Sequence, residues 1–225
     1  MAIELATEVR QIPVASADGY VGRVRLNRRS EIVNQAFIRQ AAMEGRVYCA
    51  SAGALSTPIT WTATATADYT KSALFGAVPS GVTVIPLSID LYMEAFGTTA
   101  QFECVAAVGT GGIPAGGSAV TPTNMRTDAP NVSTTVWTSD LTGGTACTTN
   151  VSEFWRDGQQ FAITKTAGSA TAAASDPIKF SWKLADSDAF PVIVGPGQLE
   201  IAQGSQAGTG FCTVIYIEYP TTSIT

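Results

Sequence analysis

The sequence predicts an all-β chain: an antiparallel β-sandwich, jelly-roll-like, with one short helix near its N-terminus. Three observations predict it. Short runs rich in Val, Ile, Thr, Tyr and Phe recur from Arg46 onward, separated by Gly-, Pro- and Ser-rich turns. One segment alone, within 28–46, shows the three- and four-residue spacing of an amphipathic helix. The chain has 225 residues, 45% of them hydrophobic, which suits one large β domain of roughly 200–250 residues. The expected division is an arm and helix over 1–46 and a sandwich over 47–225.

Residues 1–19 read as a mixed arm, extended around Gln11-Ile12-Pro13-Val14 and turning at Asp18-Gly19. Residues 20–26 alternate, Tyr20, Gly22, Val24 and Leu26 against Val21, Arg23 and Arg25, which predicts a strand with a basic face. The helix is expected over 30–44. Ser30 suits the N-cap, and Glu31 sits in the first turn, where the helix dipole favours an acid. Ile32, Val33, Ala36, Phe37, Gln40 and Ala41 make one face, and Gly45 is a C-terminal stop.

Strands are expected over 47–50, 59–66, 82–93, 100–108, 134–138, 160–165, 178–184, 191–194 and 211–219. In 178–184, Ile178, Phe180, Trp182 and Leu184 alternate with Lys179, Ser181 and Lys183, so one face is core and one meets water. Pro86 inside 82–93 removes a ladder donor, so that strand should be an edge or carry a bulge. Two loop zones, 109–118 running on toward Pro130 and 166–176, are long enough to be protrusions or contact loops. The last stretch, 190–220, reads as the closing strand pair. Gly195-Pro196-Gly197 is a hard turn. Residues 211–219 are apolar on both faces, so this strand should be central or covered, with Cys212 a buried thiol and 204–210 a loop tip.

Charged residues make up 14% of the chain, against roughly 25% in an average domain. A surface of small neutral polar groups suits a protein whose faces are taken up by neighbours, because interface cores are depleted of charge. The net charge of −5 is uneven, with a slight basic excess in 1–46 and an acidic body. A basic arm can dock on an acidic partner surface or on nucleic acid, while the acidic body argues against broad nucleic-acid binding. Cys49, Cys104, Cys147 and Cys212 form no C-x-x-C pair. Cys104 and Cys212 sit in apolar patterns, as buried hydrophobes do. No charged-then-apolar leader and no run of 18 apolar residues appears, so the expectation is a soluble, reduced protein made in the cytosol, with no membrane partner.

The absence of histidine removes the Ser-His-Asp and Cys-His readings and the commonest metal ligand. Gly109-x-Gly111-x-x-Pro114 breaks the dinucleotide fingerprint at its third glycine. The acid pairs Asp90/Glu94, Glu153/Asp157 and Asp186/Asp188 read as solvated acids rather than a hydrolytic pair or a Ca²⁺ site. Trp182 alternates with apolar residues and belongs to the core. Trp155, in Glu153-Phe-Trp-Arg-Asp157, is either an interface anchor or a local core plug. Asn131 and Asn150 match the glycosylation pattern, which carries no weight without a secretion signal. The expectation is a protein that is not an enzyme, with no cofactor, no metal and no catalytic residue.

The ending Pro-Val-Ile-Val-Gly-Pro-Gly-Gln-Leu-Glu-Ile and Gly-Thr-Gly-Phe-Cys-Thr-Val-Ile-Tyr-Ile-Glu-Tyr, behind a short arm and helix and a Thr/Ala/Gly-rich body, resembles virion structural proteins of tailed bacteriophages, most like jelly-roll capsid decoration (cement) proteins. The resemblance implies a homotrimer on the capsid surface that clamps the major capsid protein, with no direct nucleic-acid contact. The arm and helix depart from a bare jelly roll and would grip neighbours. The candidate interface is then Arg23, Arg25, Arg28, Arg29, Phe37 and Arg39, with Trp155 and Arg156. The alternative is a tail or spike jelly roll that binds a host receptor or carbohydrate through Trp155 or Trp137.

Overall fold

The computed structural model describes residues 14–15, 21–22, 37–61, 68–96, 101–129, 131–160, 178–187, 189–204 and 208–223. Two compact units result, Met1–Gln40 and Ala41–Thr225, so the division falls at Gln40, six residues before the one expected. In the first unit, β1 (Val14–Ala15) pairs antiparallel with β2 (Val21–Gly22), and the expected turn at Asp18-Gly19 lies outside the described residues. Helix α1 spans Phe37–Met43 and stops at Gly45, whose φ of 67° is the left-handed conformation glycine adopts freely. The expected start at Ser30 lies outside the described residues.

The second unit is built from two antiparallel sheets. The first contains β3 (Val47–Ala52), β4 (Ile59–Trp61), β6 (Val82–Phe96), β10 (Thr123–Asn124), β14 (Ile178–Lys183), β15 (Ile193–Val194) and β17 (Gly208–Pro220). The second contains β5 (Leu74–Val78), β7 (Gln101–Thr110), β9 (Ser118–Val120), β11 (Val136–Ser139), β13 (Thr149–Gln160) and β16 (Gly197–Gly204). β8 (Ile113–Ala115) and β12 (Gly143–Thr145), far apart in the chain, pair as a further two-stranded sheet. The principal strands, in chain order, are β3, β5, β6, β7, β13, β14, β16 and β17. One sheet then runs first, eighth, third, sixth; the other runs second, seventh, fourth, fifth. That is the strand order of a jelly roll, the two-Greek-key sandwich the sequence predicted.

Alternation along each strand fills the space between the sheets. Ile89, Leu91 and Met93 of β6, Leu199 and Ile201 of β16, and Val214 and Tyr216 of β17 all face inward and are buried, with Phe102, Trp137, Phe180 and Trp182. Each such side chain contributes about 1.5–3 kcal/mol by leaving water. A second cluster, Ala41, Val47, Ile85, Ile217 and Tyr219, covers part of the first sheet's outer face. β17 is apolar on both faces because both are covered, and it lies at the centre of its sheet between β3 and β6. Cys212 is fully buried, as expected.

Two expectations need correction. The closing strands do not pair with each other: β15, within the expected 191–194, pairs with β6 rather than β17, and β16, between them in the chain, lies in the opposite sheet, as the jelly-roll order requires. Pro86 meets the second of the two forms expected of its strand: β6 is no edge, being bordered by β17 and by β14 and β15. Pro86 sits instead at a bulge. The β17 register slips between Ile215 and Tyr216, opposite Ser88 and Pro86, and β14 and β15 leave residues 85–87 unpaired on the other side. The donor that proline lacks is therefore not missed. β13, twelve residues ending at Gln160, was not expected, and of the strand expected over 160–165 only Gln160 is among the described residues. The 204–210 tip is shorter than expected, because Gly204 closes β16 and Gly208–Gly210 already belong to β17. The 166–176 zone and most of the 59–66 strand beyond Trp61 lie outside the described residues.

Candidate functional site

Two buried carboxylates, missed by the sequence reading, mark the places where the sandwich departs from simple packing. Alternation along β17 turns Glu218 to the same side as Tyr216, where residues 133–135 cross the end of the sandwich to enter β11. Its Oε1 accepts from the Thr134 N–H at 2.9 Å and the Thr134 hydroxyl at 2.8 Å. Its Oε2 accepts from the Ser133 hydroxyl at 2.7 Å, the Thr135 hydroxyl at 2.8 Å and the Thr135 N–H at 3.2 Å. The Ser133 and Tyr216 hydroxyls share a further bond at 2.6 Å. Burial alone would raise the Glu218 pKa. The hydrogen bonds from Ser133, Thr134 and Thr135 overcome it and hold the carboxyl below its ordinary 4.5. A cavity of about 510 Å³ opens beside it, lined by Arg46, Tyr48, Val82, Val132, Glu218 and Tyr219 among others. The Arg46 guanidinium lies 5.0 Å from the Tyr219 ring centre. Every polar group at this carboxylate is matched, so its chemistry is that of a clasp between β17 and the segment before β11.

Glu200 lies on the outer face of the second sheet, opposite Phe75 on β5 and Ala107 on β7. It is fully buried, and neither carboxylate oxygen has a hydrogen-bond partner of ordinary geometry. Burial pushes its pKa above 4.5, and the neighbouring Cys147 thiol offsets part of that rise. Two residues earlier, on the same face, Gln198 is clamped by one backbone unit. Its Oε1 accepts from the Gly112 N–H at 3.0 Å, and its Nε2 donates to the Gly112 carbonyl at 2.6 Å. This pair of bonds fixes which amide atom is which. The Cys147 thiol donates to the same Oε1 at 3.0 Å. Burial, followed by the Glu200 charge, pushes that thiol up to about 12, so it is protonated at neutral pH. The approach depends on glycine. A Cβ at Gly112 would stand 2.9 Å from Glu200 Oε1, and one at Gly109 2.8 Å from the Cys147 Cβ. The Gly109–Gly112 stretch that failed as a dinucleotide fingerprint thus serves a different close approach.

Among the residues singled out by sequence, Arg23, Arg25, Arg28 and Arg29 lie outside the described residues. Phe37 and Arg39 are exposed on α1. Trp155 is half-buried and packed against the main core, next to Phe154, where β13 bulges against β7. Arg156 is exposed and is brought to Glu153 at 2.5 Å and to Glu103. Glu153 also accepts from the Tyr69 hydroxyl at 3.2 Å. Trp137 and Trp61 are fully buried, so Trp137 has no face for a saccharide. Among the acid pairs, Asp90 meets Lys179 at 2.9 Å and accepts from the Ser181 hydroxyl at 2.7 Å, Asp186 is exposed, and Asp188 lies outside the described residues. Among the described residues no group of three His, Cys, Asp or Glu gathers to hold a metal ion, and no helix is long and apolar enough to cross a membrane. A signal for the two missed glutamates was present: each interrupts an apolar run, Leu199-Glu200-Ile201 and Ile217-Glu218-Tyr219. Comparison with family models, with curated proteins and with solved structures gives no match to this chain.

Proposed function

We propose that the chain is a non-enzymatic virion structural protein, a capsid decoration (cement) protein that binds and stabilises a shell of major capsid protein on the capsid surface, acting as a homotrimer. The observation that carries this reading is the jelly-roll strand order, an architecture that recurs in viral shells and also in lectins and cupins. A fold alone does not set a function, so the surface has to favour one of these uses. It is poor in charge, and one end of the sandwich displays apolar side chains. Met125, Val132 and Val194 are exposed near the starts of β3 and β6, and Phe190 and Val192 are exposed just before β15. Apolar side chains grouped at one end are what a subunit contact buries. The saccharide-binding alternative is weakened by the burial of Trp137.

Co-sedimentation with expanded capsids tests the proposal. Saturable binding is expected, weakened at least about tenfold by V132D with V194D, since each removes apolar contact and buries a charge. Removal of residues 1–26 should weaken it further if the arm grips neighbours. No binding to shells, or saccharide binding by the isolated protein, would overturn the proposal.

A further inference from the structure

Around Gln198, the second sheet gathers a thiol, a carboxamide and a buried carboxylate whose oxygens make no hydrogen bond of ordinary geometry. We infer that Cys147 and Gln198 form an internal thioester, with Glu200 moving the proton. The parts a thiol–amide exchange needs are in place. The nucleophile is Cys147 Sγ, 3.0 Å from Gln198 Oε1 and therefore beside the carbon that bears it. The electrophile is the Gln198 carboxamide, held in one orientation by Gly112, whose N–H also polarises the C=O that must take up negative charge. The proton carrier is Glu200, fully buried beside the same thiol.

The step balances without any outside reagent. Glu200 takes the thiol proton as sulfur attacks the Gln198 carbonyl carbon. The S–C bond forms, and the Gly112 N–H supports the oxygen of the tetrahedral intermediate. Glu200 returns the proton to the amide nitrogen, the C–N bond breaks and ammonia leaves. The products are a Cys147–Gln198 thioester and one ammonia, with no change of oxidation state. A buried carboxylate with a raised pKa is a stronger base than an exposed one, which is what abstraction from a high-pKa thiol requires. The observation that demands an explanation is Glu200 itself, since burial of a carboxyl without a hydrogen bond of ordinary geometry costs stability, and a chemical role beside the thiol would account for its being kept there. The bond would tie the segment between β12 and β13 to β16, across the outer face of the sheet. The inference is independent of the capsid proposal.

The test is peptide mapping of the purified full-length chain, digested and alkylated at mildly acidic pH. The expected result is a cross-linked peptide joining Cys147 to Gln198, lighter by one ammonia than the sum of its parts. Three of the four thiols should alkylate in the unfolded protein. Methylamine should open the link, restore the fourth thiol and leave a methylamide on Gln198, and C147A should show neither. E200Q should slow formation about a hundredfold, as loss of a general base does. C147S, which keeps a small polar group at the position, should unfold at the temperature of C147A, which shows that the readout is covalent and not a failure to fold. Four alkylatable thiols after unfolding, with an unmodified Gln198, in wild-type protein would overturn the inference. Link formation in E200Q as fast as in wild type would overturn the role of Glu200.

Discussion

Glu218 and Glu200 each interrupt an apolar run near the C-terminal end, Ile217-Glu218-Tyr219 on β17 and Leu199-Glu200-Ile201 on β16, and both are buried. Around Glu218 the chain supplies two backbone N–H groups and three hydroxyls from the consecutive residues Ser133, Thr134 and Thr135. Around Glu200 it supplies glycines, Phe75, Ala107 and a thiol. The first environment favours the charged carboxylate, and the second disfavours it. The difference separates a group that holds the fold together from one kept at a cost to stability, and only the second kind points to chemistry.

The comparison can be broken by mutation. The largest expected effect is E218A. It strands two backbone donors and the hydroxyls at the end of the sandwich, and should cost about 3 kcal/mol in chemical unfolding. The contribution of Glu218 should also fade in acid. Its folded pKa is depressed, so its stabilisation is present above 4.5 and lost as the pH falls through the folded value. Next is E200Q, measured in a C147A background so that no cross-link contributes. It should stabilise the protein by about 1 kcal/mol at neutral pH, because a neutral amide is less costly to bury than an unpartnered carboxylate. The sign with pH is opposite to that of Glu218. The folded pKa of Glu200 is raised, so its penalty is absent below 4.5 and grows as the pH rises through the folded value; the advantage of E200Q should vanish in acid. The smallest effect is T135V, which removes one hydroxyl bond to Glu218 and should cost about 1 kcal/mol.

The two carboxylates also show what the sequence reveals and what it conceals. Alternation announced β14 and the double-faced β17 directly, because burial of one face or two leaves a period in the residue types. β5 left no such signal. Leu74-Phe-Gly-Ala-Val78 reads as weak because of Gly76, yet that glycine is there to seat the Trp137 ring, whose atoms would lie 2.8 Å from an added Cβ. β13 left no strand signal because Thr149–Gln160 is polar over most of its length and gains its place by pairing with β7. The helix stop at Gly45, the buried Cys212 and the bulge at Pro86 were legible from local chemistry. The candidate site was not. Cys147, Gln198 and Gly112 are far apart in the chain and carry no fixed spacing; the sheet register and the return of the β8–β12 region bring them together. The clasp on Glu218 is hidden in the same way, since Ser133-Thr134-Thr135 reads as an ordinary loop until β11 and β17 place it over a carboxylate.

The central claim is that the fold sets these two carboxylates apart, one stabilised as an anion and one held against its charge. Carbon-detected NMR of the glutamate carboxyls across a pH titration of the folded protein tests it most directly. The structure predicts that Glu218 titrates below 4.5 and Glu200 above it, within one molecule. Both groups titrating together near 4.5, or Glu200 titrating first as the pH is raised, would contradict it.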